Sequence, residues 1–118
     1  MSYDIVFKVK AEGTDTWVTV GEQTANVTYN VREIIQKSTG LEWKNCENNG
    51  LVKDVIPSIL HGMNELWINK KAYKRLEPSN GYGTVEGTLH FFGQILEDWE
   101  AFLREYPELV DTVTFWIV

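Results

Sequence analysis

A single cysteine, Cys46, in 118 residues excludes an intramolecular disulfide framework. Basic residues are also scarce. Eleven Lys and Arg stand against 17 Asp and Glu, and the resulting net charge of −6 repels nucleic-acid backbones and anionic lipid alike. Nucleic acid and membrane are therefore poor expected partners. No apolar run approaches the ~18 residues that a membrane-spanning helix needs, and the first residues, Met1-Ser2-Tyr3-Asp4, carry no basic-then-apolar leader, which makes the cytosol the expected location. What the chain does have is apolar mass. With 43% hydrophobic residues and five Trp, a chain of this length can bury enough surface to fold as one domain without disulfide or metal.

Strand periodicity comes first. Ile5, Phe7 and Val9 alternate with Val6, Lys8 and Lys10, and after a turn at residues 11–15 the β-branched and aromatic stretch Trp17 to Val20 completes an antiparallel hairpin. A further extended piece is expected at Asn26 to Tyr29. Asn30, with Glu33 three residues on, then has the pattern of a helix N-cap, and Gly40 closes a short helix from Val31 to Ser38. Residues 41–50 show no period and end in Asn-Asn-Gly, so they are expected to be a loop that Trp43 pins to the body. The next helix runs to Trp67 and is expected to start or break at Pro57, with an apolar stripe of Val52, Val55, Ile56, Ile59, Leu60, Met63, Leu66 and Trp67.

Asn69 caps one further turn, and Glu77 to Gly83 forms a tight connection. From Thr84 to Tyr106 the spacing of Val85, Leu89, Phe92, Leu96, Trp99, Leu103 and Tyr106 predicts a long amphipathic helix closed by Pro107. Val110 to Val118 alternates again, as a terminal strand. The expected fold is α+β: a small antiparallel sheet, made of the N-terminal hairpin and the C-terminal strand, packed on two main helices and one or two short ones.

No residue set converges on a reaction. His61 with Glu65 and Glu86 with His90 have metal-ligand spacing, yet 100° per residue points both histidines away from their apolar stripes, so they are expected in water and no metal or other cofactor is assigned. Cys46 lacks a neighbouring His or helix N-terminus that would activate its thiol. Glu97, Asp98, Glu100 and Glu105 read as a solvated face, with docking of a basic partner as the alternative. Gly81-Tyr82-Gly83 precedes a helix but lacks the Lys and further glycines of a phosphate-binding loop. No catalytic residue is assigned.

Thr28-Tyr29-Asn30, the Pro57-containing helix, and the run from Asn69 through Tyr73 to Pro78-Ser79-Asn80-Gly81-Tyr82-Gly83-Thr84 resemble a family of small uncharacterised bacteriophage and prophage proteins. The likeness covers about residues 28 to 118. Tyr82 stands where members often have Trp. The resemblance implies a phage-type setting, and it transfers no activity or site. Taken together, these readings lead to a non-enzymatic phage or prophage accessory protein that binds a macromolecular partner, in one version an inhibitor of a bacterial defence system. The alternative is a nucleotide-like small-ligand binding or hydrolysing protein with a pocket near Tyr29, Asn30, Asn80 and Tyr82, or a structural homodimer.

Strand alternation singles out one surface for partner binding or self-association. If Ile5, Phe7, Val9, Val18, Val20, Val113, Phe115 and Ile117 face the helices, then Lys8, Trp17, Thr114 and Trp116 face away from them. Two tryptophans on an uncovered face have two readings. Either Lys8 or Lys10 stacks on the rings within the monomer, or the rings anchor a partner.

Overall fold

The alternation of Tyr3, Ile5 and Phe7 with Asp4, Val6 and Lys8 builds β1 (Ser2–Lys10), whose first set is buried. The computed structural model describes all 118 residues, and in it β1 anchors a five-stranded antiparallel sheet. Its C-terminal half pairs with β2 (Trp17–Thr19) and its N-terminal half with β3 (Asn26–Thr28). Between the two, the Gln23 side chain replaces the missing ladder: Phe7 N donates to Gln23 Oε1 at 3.0 Å, and Gln23 Nε2 donates to the Val20 carbonyl at 3.0 Å. On the other side of β1 lies β5 (Thr114–Ile117), which sets Ile5 opposite Ile117 and Phe7 opposite Phe115. The terminal strand thus shares the sheet of β1.

Beyond β5 the sheet ends in β4 (Glu47–Leu51), within the segment expected to be a loop. Its composition hides it, because Glu47-Asn48-Asn49-Gly50 has neither alternation nor β-branching. Main-chain pairing to β5 makes the strand, with a bulge between Asn48 and Leu51. Cys46, at φ 60°, turns the chain into it. Trp43 does pin the preceding loop: it is buried and meets Tyr3, Phe91 and Phe115 edge-on at about 6 Å.

The helical layer consists of α1 (Arg32–Thr39), α2 (Val52–Ile68), the short α3 (Lys70–Lys74) and α4 (Val85–Glu105). Asn30 is not an N-cap. A 3-10 turn over Tyr29–Val31 comes first, capped by Thr28 Oγ1 accepting from Asn30 N, and α1 starts two residues after Asn30. Gly40 ends α1 at φ 74° as expected. Pro57 neither starts nor breaks α2, which begins at Val52 and continues through it. The break is avoided because Pro57 follows only five helical residues, so the carbonyl it leaves without a partner belongs to Lys53 in the exposed first turn.

The apolar arc of α2 is about 140° wide, more than its neighbours cover. Val52, Val55, Ile59 and Leu66 are buried, whereas Leu60 and Trp67 of the expected stripe are 51% and 68% exposed. Gly62 faces the other way. A Cβ there would sit 2.7 Å from Thr39 Cγ2 and 3.1 Å from Phe92 Cε2, so α1 and α4 approach α2 closely at this point. On α4 the buried line is rotated from the expected one towards Thr88, Phe91, Ile95 and Phe102, leaving Leu89, Leu96, Leu103 and Tyr106 half-buried at its margin.

Asp98 corrects the reading of a solvated acidic face. It is buried, and its carboxylate accepts from Thr24 N (2.8 Å), Ala25 N (3.2 Å) and Thr24 Oγ1 (3.2 Å), which ties α4 to the segment entering β3. Glu97, Glu100 and Glu105 are exposed. After a 3-10 turn over Pro107–Leu109, residues 110–113 of the expected terminal strand are turn and coil, so the strand starts only at Thr114, and Val18 is exposed because β2 is the sheet's edge strand. No helix is long and apolar enough to cross a membrane.

Candidate functional site

The sheet has one face against the helices and one without a helical cover. On the latter, the β1–β2 and β1–β5 registers set Lys10 opposite Trp17, Lys8 opposite Thr114 and Val6 opposite Trp116. The two indole rings meet across β1 at 5.4 Å between centroids, tilted by 63°. Lys8 Nζ stands 4.6 Å above the Trp116 ring and Lys10 Nζ 5.4 Å from the Trp17 ring. Trp116 Nε1 donates to Thr114 Oγ1 at 2.9 Å, and Thr114 Oγ1 donates to the Lys8 carbonyl at 2.6 Å. Both tryptophans are half-buried. The four residues singled out from sequence, Lys8, Trp17, Thr114 and Trp116, thus form one interlocked cluster.

Beside the cluster runs a groove of about 530 Å³ lined by Val9, Lys10, Trp17, Leu51, Leu109 and Thr114, with Glu12 and Asp111 at its margin. Its apolar floor continues the indole surface. Lys10, Glu12 and Asp111 place charged side chains of both signs beside that apolar surface.

The second candidate region does not converge in the same way. The Tyr29 ring lies against Tyr3 at 4.3 Å, and its hydroxyl accepts from Asn45 Nδ2 at 3.4 Å. Burial raises the pKa of the Tyr3 phenol, an effect opposed by Arg32, whose Nη2 donates to the Trp43 carbonyl. Asn80 Oδ1 accepts from Tyr82 N at 2.9 Å, which leaves the Tyr82 ring 71% exposed at the tip of the turn. Gly83, at φ 112°, brings that turn onto Asn30, where a Cβ would come within 3.1 Å of Asn30 Cβ. The structure therefore joins Asn30 to the turn, and none of Tyr29, Asn30, Asn80 and Tyr82 lines a cavity.

Comparison with protein-family models, with curated proteins and with solved structures finds no match for this chain. The chemistry of the surface is accordingly read from its own residues. No three His, Cys, Asp or Glu side chains gather where a metal ion would be held, and His61, His90 and Cys46 are exposed.

The histidine-paired glutamates have other partners. Glu65 accepts from Asn69 Nδ2, and Glu86 meets Lys74 at 2.8 Å and Lys70 at 3.1 Å, linking α3 to the start of α4. Hydrogen bonding from Lys74, then from its own backbone and from Lys70, lowers the Glu86 pKa from 4.5 to about 2, and the Lys74 pKa is raised by the same bond. Because the folded-state value is depressed, this link contributes above pH 4.5 and fades as the pH falls towards about 2. The protection of the α3 amides, taken as the intrinsic exchange rate at each pH over the observed rate, is expected to fall across that acid window in the native chain. In Glu86→Gln it should already be low at neutral pH, with little further change on acidification, as hydrogen exchange followed by NMR would show.

Sequence reading missed a third surface. Leu60, Trp67 and Ile68 are exposed on α2, and Lys70, Lys71, Lys74 and Arg75 follow directly on α3 and at its end. The signal lay in the width of the apolar arc, which exceeded what one buried stripe requires.

Proposed function

We propose that the chain is a non-enzymatic phage or prophage accessory protein that acts in the bacterial host cytoplasm by binding a host protein, as an inhibitor of a defence system. The observation that carries the binding role is the Trp17–Trp116 cluster continuing into the apolar groove beside it. Aromatic rings held in place by their neighbours bind with little loss of side-chain freedom, and lysines stacked on them supply a polar rim. The phage setting rests on the resemblance over residues 28 to 118. The defence-inhibitor role is the function that fits a small acidic binding protein in that setting.

The test is a paired capture. Trp17→Ser with Trp116→Ser is expected to keep a cooperative melting transition, since both side chains lie on the outer face of the sheet, at a cost of about 1.5–3.5 kcal/mol for the lost ring and lysine contacts. The unaltered chain should retain a stoichiometric host protein from lysate, and the double variant at least tenfold less. Equal retention by both would remove this face as the interface. A bound metabolite released on denaturation, in place of a protein, would favour the ligand-binding alternative.

A further inference from the structure

Between the buried stripe of α2 and solvent lie Ile56, Leu60, Met63 and Trp67, spaced four, three and four residues apart. At 100° per residue they fall within an arc of about 60°, so they form one ridge along the helix. Exposure alternates along it, with Met63 half-buried between the exposed Leu60 and Trp67. Ile56 is 9% exposed, Leu60 51% and Trp67 68%. The spacing reads the same in both directions, so two α2 helices laid antiparallel about a twofold axis beside His61 and Gly62 set Ile56 opposite the partner's Trp67 and Leu60 opposite the partner's Met63. Each protruding end then meets the other copy's recessed end.

Charge follows the same polarity. At the C-terminal end of α2, Lys70 pairs with Glu86 and Lys74 with Glu86 and Glu77, whereas Lys71 and Arg75 make no ion pair. At the N-terminal end Asp111 stands 3.1 Å from Lys53, and Glu108 is exposed in the turn before it. Antiparallel packing carries Lys71 and Arg75 of one copy towards Glu108 and Asp111 of the other and opposes the two helix dipoles. Parallel packing would set cations against cations.

We propose that the chain forms a twofold-symmetric homodimer through this ridge of α2. The ridge belongs to the helical layer and shares only Asp111 with the groove beside the tryptophan cluster, so the Leu60 and Trp67 changes test the dimer independently of what that face binds.

Sedimentation velocity on the full chain over about three decades of concentration tests it. The expected result is a monomer–dimer equilibrium with a dissociation constant on the order of 10 µM, as suits a modest contact area, weakened severalfold by high salt. Leu60→Ser with Trp67→Ser, both at exposed positions, should leave the melting transition in place and weaken dimerisation at least tenfold. Lys71→Glu with Arg75→Glu should also weaken it, and adding Glu108→Lys with Asp111→Lys should restore it. A monomer at every concentration would overturn the proposal and leave the ridge to a different protein. A dimer indifferent to the Leu60 and Trp67 changes would place the contact elsewhere, and failure of the charge exchange to restore association would overturn the antiparallel register.

Discussion

A chain lacking Thr112 to Val118 is expected to show no cooperative unfolding transition. β5 lies between β1 and β4, so its removal leaves β4 unpaired and β1 with only the short β2 and β3. It also removes Val113, Phe115 and Ile117, all fully buried, from the core. Burial of three such side chains is worth about 4.5–9 kcal/mol, comparable with the ~5–15 kcal/mol that separates a folded domain from its unfolded chain. Far-ultraviolet circular dichroism on heating should give a broad, sloping curve, and the near-ultraviolet tryptophan signal should be flat. An intact sigmoidal melt would mean that the remaining strands close a core without β5.

Asp98→Ala is expected to cost about 3 kcal/mol, through loss of the acceptor for two main-chain donors and one hydroxyl in a part-buried site. For a chain of this size that corresponds to a fall in Tm of roughly 10 °C. Asp98→Asn retains one acceptor oxygen and should fall between the two. The neighbouring exposed Glu97 provides the control, because Glu97→Ala should change stability by less than about 0.5 kcal/mol. Equal effects at the two positions, measured by urea unfolding, would show that the Asp98 contacts to Thr24 and Ala25 do not hold α4 to the sheet.

These two residue sets differ in how well the sequence announces them. β5 is legible because Val113, Phe115 and Ile117 alternate with polar or amphipathic residues, and alternation is a local property that survives without knowledge of the partner strand. The buried role of Asp98 is not local. Its partners lie 73 and 74 positions away, and beside Glu97 and Glu100 it looks like one more surface acid. β4 escaped notice for a related reason, since its strand conformation is imposed by pairing with β5 and its own residues show no preference for it.

The candidate surfaces divide in the same way. The cluster of Lys8, Trp17, Thr114 and Trp116 was readable because strand parity fixes which side chains share a face. The apolar groove next to it was not, because Leu51 and Leu109 reach it from turns that carry no period. On α2, periodicity identified the apolar residues and could not say how many of them the neighbouring elements would cover.

The central pairing of β1 with β5 also sets an order of events in biosynthesis. Lys8 and Thr114, joined through a hydrogen bond in the finished sheet, are 106 positions apart, so the middle of the sheet cannot close until residues 114–117 have left the ribosome. Until then β1 holds an unpaired edge beside Tyr3, Ile5 and Phe7, an apolar strand open to chaperones and to neighbouring nascent chains. The helices can associate earlier, since α1 and α2 are near in sequence and pack closely. β5, translated after the other four strands, is the one that turns a helical intermediate with an open hairpin into a closed domain.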